Sequence, residues 1–159
     1  MINPQVAELA GGEEVLVSQV LWLPSGAAFS TLYRCCRNEE MTLAERELWD
    51  AFPEGRQVDL RVGTPDEDDP AGGADWGPER TLRATVVTAL ARGANAAPPG
   101  AVTALRVAGA RITGRLDLAG AEIGHMLRFE SCWFEEAPSF YGATTRTIGI
   151  SGSRAPGID

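Results

Sequence analysis

From residue 98 onward, apolar residues come in pairs split by one polar residue, and the pairs return every eleven positions. Cut at that period, the chain reads PPGAVTALRVA, GARITGRLDLA, GAEIGHMLRFE, SCWFEEAPSFY, then GATTRTIGIS with one residue missing, then GSRAPGID. Counted from Gly109, position 2 is small (Ala110, Ala121, Cys132, Ala143, Ser153) and position 4 is usually apolar (Ile112, Ile123, Phe134). Positions 8 and 10 carry Leu105 and Val107, Leu116 and Leu118, Leu127 and Phe129, with Ile148 and Ile150 matching after the deletion. Two inward residues around one outward residue have the period of a strand, and self-similarity at a fixed period marks stacked units. Two elevens give roughly the length of one four-sided coil, and coils stacked about 4.8 Å apart pair backbone with backbone. The pattern predicts a mainly β fold with N-terminal helices, a right-handed parallel β-helix over 98–159. A small antiparallel sandwich built from the same strands is the alternative.

Before the repeat the periodicity changes. Thr42 with Glu45 three residues later forms a capping box that opens a helix from about Leu43 to Ala51, ended by Pro53 and Gly55. Leu43, Leu48, Trp49 and Phe52 supply its apolar face. Val58, Leu60 and Val62 alternate with Asp59 and Arg61 as a half-buried strand would. Residues 64–75, TPDEDDPAGGAD, hold no apolar residue larger than alanine and read as an exposed acidic loop. Asp66, Glu67, Asp68 and Asp69 lack the ligand spacing of an EF-hand loop, so a solvated charge run is the better reading than a calcium site. Pro78 suits the first turn of a second helix running to about Arg92, with Leu82, Val86, Val87 and Leu90 on one face. That amphipathic helix is expected to cap the β-helix, and residues 41–97 form the capping region.

Residues 1–40 show no clean period. Two readings stand: a native N-terminal extension, or an upstream extension of a chain whose own start is Met41. The apolar stretch from Val15 to Leu23 is cut by Ser18 and Gln19 and stopped by Pro24, far short of the roughly 20 residues of a transmembrane helix. Glu8, Glu13 and Glu14 precede it, which is the wrong charge for an export signal. At the other end the repeat fades at Gly157-Ile158-Asp159 without a cap. This reads as a fragment or an early-ended member of a longer family, with an open end available for protein binding or self-association.

Charge narrows the function. Lys and Arg total 14 against 22 Asp and Glu, a net charge of -8, which disfavours direct nucleic-acid or anionic-lipid binding. The acidity lies outside the repeat, since residues 101–159 carry six acids and six bases. The three cysteines, Cys35, Cys36 and Cys132, show no CxxC spacing and no disulfide framework, which fits a cytoplasmic protein.

The search for chemistry assigns no catalytic, cofactor-binding or metal-ligating residue. No G-x-G-x-x-G joins a strand to a helix, and Gly109 to Gly114 is followed by Arg115 and Leu116 where a phosphate loop needs Lys and Ser or Thr. His125 is the single histidine, which rules out a multi-histidine metal site. Cys132 occupies a small inward position and reads as core. Glu135 and Glu136 are adjacent on a strand and point to opposite faces, so they cannot flank one glycosidic bond.

The small-x-apolar units in GARIT, GAEIG and SCWFE resemble the pentapeptide-repeat proteins, whose right-handed quadrilateral β-helix turns a small residue and a Leu or Phe inward. The stretch from Trp76-Gly77-Pro78 through LRVAGARITGRLDLAGAEI is similar to a group of long actinobacterial proteins, many named oxidoreductase or membrane-associated oxidoreductase. The resemblance spans residues 41–159, most strongly 76–136. Units spaced at eleven rather than ten depart from the pentapeptide pattern. The expectation is a non-enzymatic solenoid scaffold or protein-binding module without a cofactor. The alternatives are part of an oxidoreductase, as the resemblance implies, and a DNA mimic of the pentapeptide-repeat kind.

Overall fold

The computed structural model of this protein describes residues 41–95 and 97–156. The first helix, α1 (Leu43–Ala51), starts as its sequence predicts: Thr42 accepts from the Glu45 N–H and the Glu45 carboxylate accepts from the Thr42 N–H. Leu48, Trp49 and Phe52 are buried, but Leu43 faces outward at 83% exposure. The strand expected around Val58, Leu60 and Val62 is short, β1 (Gln57–Asp59), with Val62 outside it and exposed.

The helix expected over 78–92 is divided. Pro78–Arg80 make a 3₁₀ turn, Thr81–Arg83 form β2, and only Ala84–Ala91 form helix α2. Leu82 therefore belongs to a strand rather than to the helix face. The remaining strands are β3 (Ala104–Ala108), β4 (Arg111–Thr113), β5 (Glu122–Glu130), β6 (Trp133–Phe134) and β7 (Thr144–Ser151).

These strands form two small parallel sheets, ordered β1-β3-β5-β7 and β2-β4-β6. This corrects the expected fold. A solenoid of such repeats is mainly β, yet here the outer strand of each sheet comes from outside the repeat. Gln57 lies opposite Arg106 and Thr81 opposite Arg111, with α1 packed on β1 and β2 and α2 on β2. The described residues are thus a mixed α/β arrangement rather than a capped right-handed β-helix. All strand pairings are parallel, which also removes the antiparallel sandwich.

The repeat sets a pairing register inside this arrangement. Ala104 lies opposite Met126 and Arg111 opposite Trp133, so each partner stands two repeats further along the chain. Its inward positions stack in register: Leu105, Leu127 and Ile148 in one row, and Val58, Val107, Phe129 and Ile150 in the next. In the smaller sheet Leu82, Ile112 and Phe134 stack likewise, and the Phe129 and Phe134 rings meet edge to face at 5.6 Å. Position 1 explains the repeated glycine. Gly109, Gly120, Gly142 and Gly152 have φ of 66°, 64°, 65° and 59°, and Ser131 at the same position has φ of 48°. The corner is left-handed, where a side chain is costly and glycine is not.

Two charged side chains tie the non-repeat part to the sheets. Glu45 is fully buried and accepts from the Arg83 backbone N–H (2.9 Å) and from Arg83 Nε and Nη2 (both 2.8 Å). Arg83 is the residue before α2, so one carboxylate sits at the N-terminal ends of both helices, where the helix dipoles favour negative charge. Arg80, also buried, donates to the carbonyls of Gly109 and Glu67, pairs with Asp68 at 3.1 Å and stacks over Trp76. The 64–75 segment is therefore a docked arm, not only a solvated run. Asp68 accepts from the N–H groups of Val62 and Gly63, and Gly73 is pressed against Trp133 so closely that a Cβ would overlap its side chain.

Candidate functional site

The most irregular point of the larger sheet lies between β5 and β7. Up to Ile123 opposite Thr145 the paired residues are two full repeats apart; from Met126 opposite Thr147 they are one residue closer in sequence. Gly124 and His125 thus face the single Arg146, which makes a β-bulge. The residue missing from the fifth repeat is missing here. Bulges bend a strand and re-aim its side chains, and they gather near binding sites.

Around the bulge opens a cleft of about 380 Å³. Val102 and Met126 give it an apolar wall; Arg106 and Arg146 give it a cationic one beside the His125 imidazole, and no carboxylate among the described residues lines it. The His125 ring stands edge-on to Phe52 at 4.8 Å, and burial lowers its pKa from the ordinary value. His125 Nε2 and Arg106 Nε are both buried without a hydrogen-bond partner among the described residues. Most buried polar atoms are paired, so two orphans on one cleft call for an explanation.

The second feature is the outer edge of β7. Among the described residues this strand pairs only with β5. The Ser151 carbonyl accepts from the Ser131 N–H, so Ser151 faces β5 with its backbone. Backbone direction alternates along a strand, which turns the N–H and C=O groups of Ile148 and Ile150 outward. On this strand Ile150 is 44% exposed.

The other residues singled out in the sequence fall apart from this region. Cys132 is fully buried, and burial pushes its thiol up to about 11, a core residue with no nucleophilic character at neutral pH. Glu135 and Glu136 are exposed; the Glu135 carboxylate accepts from the Gly114 N–H and so closes a corner. Gly109 and Gly114 are corners, and the Gly109 N–H already bonds the Glu130 carbonyl. Asp66 to Asp69 gather no metal-holding group, nor does any other His, Cys, Asp or Glu cluster among the described residues. Cys35, Cys36 and the apolar stretch 15–23 lie outside the described residues. No helix among the described residues is long and apolar enough to cross a membrane.

Sequence reasoning took His125 only as the single histidine and did not foresee the cleft. The signal was present as the missing residue in GATTRTIGIS, since a deletion in one of two paired strands must produce a bulge in the other. No family model, no curated protein and no solved structure matches this chain.

Proposed function

We propose that this chain is a non-enzymatic protein-binding module that receives an extended segment of a partner along β7. The observation that carries the reading is the outer edge of that strand. It offers the backbone groups of Ile148 and Ile150 beside the exposed surface of Ile150. Strand addition takes its affinity from such main-chain donors and acceptors and its specificity from the side chains alongside. The DNA-mimic alternative needs an acidic stripe. The outward row of the larger sheet runs Gln57, Arg106, Arg128 and Gly149, which counts against it.

The test is selection of peptides from a displayed random library against the purified chain, followed by binding measurements on the Ile150→Pro variant. Proline removes the outward N–H of residue 150 and leaves the β5-facing groups of Gly149 and Ser151 in place. Selected peptides should bind the variant at least about tenfold more weakly, a loss of about 1.4 kcal/mol. Equal binding to both proteins, or no selected peptide, contradicts the reading. Peptides displaced by dimer formation of the chain itself would identify the occupant as a second copy.

A further inference from the structure

We infer that the cleft at the β5 bulge is a binding site for a small oxyanion carrying an apolar body, held by Arg106, Arg146 and His125. The site is separate from the β7 edge in chemistry, though Arg146 and Thr147 of β7 contribute to its wall.

Four observations converge on it. The cleft volume, about 380 Å³, is within the range that holds a small organic molecule. Its charged lining is of one sign. Arg106 and Arg146 form no ion pair among the described residues, whereas the neighbouring Arg128 is matched by Glu130. Glu130 is further engaged by Gln57, so that carboxylate is already committed. Two of its lining residues, Arg106 and His125, each carry a buried nitrogen, Nε and Nε2, without a hydrogen-bond partner among the described residues. A buried polar atom left unpaired carries a penalty, which marks this wall as unfinished in the isolated chain.

The fourth observation is the bulge itself. In the regular register Gly124 and His125 would each face a residue of β7, and alternation would send the His125 side chain to a fixed face. The missing residue opposite them lets both bow out against Arg146 alone, and the imidazole stands edge-on to Phe52 on the cleft that Arg106 and Arg146 also line. Gly124 has open space where its Cβ would stand, which leaves the cleft mouth unobstructed.

The geometry suits a carboxylate or phosphate group: a guanidinium presents a planar fork of donors to either, and the imidazole adds a third point. Val102 and Met126 would cover an aliphatic or aromatic body. Acetate, hexanoate and inorganic phosphate separate the two sources of an oxyanion and the contribution of the apolar wall.

The experiment is a titration of the full chain with each of these three probes, read from the His125 ring resonances by NMR at constant ionic strength, with sodium chloride as the control. Expected is a saturable shift with hexanoate or phosphate, absent with chloride, and hexanoate binding more tightly than acetate. Arg146→Gln should weaken binding at least fivefold, and Arg106→Gln should do the same or more. Arg146 is exposed, so its substitution leaves the fold intact and keeps the test decisive even if Arg106→Gln perturbs packing. A shift that stays linear to high concentration, that chloride reproduces, or that Arg146→Gln leaves unchanged overturns the inference.

Discussion

Replacing Glu45 with alanine should destabilise the fold by about 3 kcal/mol, because four N–H donors on three groups lose one buried acceptor. The Arg83 backbone N–H loses its partner in a half-buried position, which costs on the order of 1–3 kcal/mol. The Thr42 N–H loses the return half of the capping box, worth about 0.5–1 kcal/mol. The Arg83 guanidinium, 42% exposed, can turn to water, so its lost ion pair adds no more than about 1 kcal/mol. With a urea dependence of about 2 kcal/mol per molar, the unfolding midpoint should fall by roughly 1.5 M.

The pH dependence supplies a second signature of the same contact. Burial pushes the Glu45 carboxyl up, but the Arg83 side chain, the backbone N–H groups of Arg83 and Thr42 and the Arg83 charge together outweigh it, and the pKa ends below the ordinary 4.5. A depressed carboxylate contributes stability that is fully present above pH 4.5 and is lost as the pH falls through the folded value. The difference between wild type and Glu45→Ala should therefore narrow under acid. A double-mutant cycle with Arg83→Ala should show coupling of about 1 kcal/mol or more. A variant within about 0.5 kcal/mol of wild type, the scatter of ordinary surface substitutions, would refute the reasoning. So would strict additivity in the cycle.

Two further outcomes follow from the packing of the repeat. Ser131→Gly should stabilise by about 0.5–1 kcal/mol, since a side chain in the left-handed corner costs about 1–2 kcal/mol and glycine returns part of that as chain entropy; a loss of stability in the same urea assay would contradict the corner argument. Iodoacetamide treatment of the native chain at pH 8, read by peptide mass mapping, should leave Cys132 unmodified until denaturant is added; labelling at the rate of the unfolded chain would show that the thiol is neither buried nor held near 11.

Much of the local structure was legible in the sequence. The capping box at Thr42 and Glu45 reports a purely local arrangement, and it opens α1 where the pattern says. The inward rows through Leu105, Leu127 and Ile148 follow from period two and period eleven, with strands pairing at every second repeat. What the repeat did not carry was the architecture. Strands β1 and β2 join the sheets from outside it, and their pairing depends on partners distant in sequence, Gln57 with Arg106 and Thr81 with Arg111. Leu82 illustrates the difficulty: it sits at helical spacing with Val86 and Leu90, but its own segment is drawn into a strand by β4, and the helix begins only after Arg83. The polar contacts were hidden for the same reason. Nothing local announces that Glu45 will meet Arg83, or that Arg80 will reach Gly109 and Asp68. The cleft was half legible. The deletion in the fifth repeat marks its position, but its polar wall needs Arg106, His125 and Arg146 brought together from three strands.

Binding along β7 requires that its outer edge be free in the isolated chain, and residue-resolved amide hydrogen exchange by NMR addresses this directly. Exchange should alternate: slow at Gly149 and Ser151, which face β5, and fast at Ile148 and Ile150, whose N–H groups face outward. Slow exchange at all four positions in the monomer would mean that another segment already occupies the edge, and the proposed mode of partner binding would be wrong.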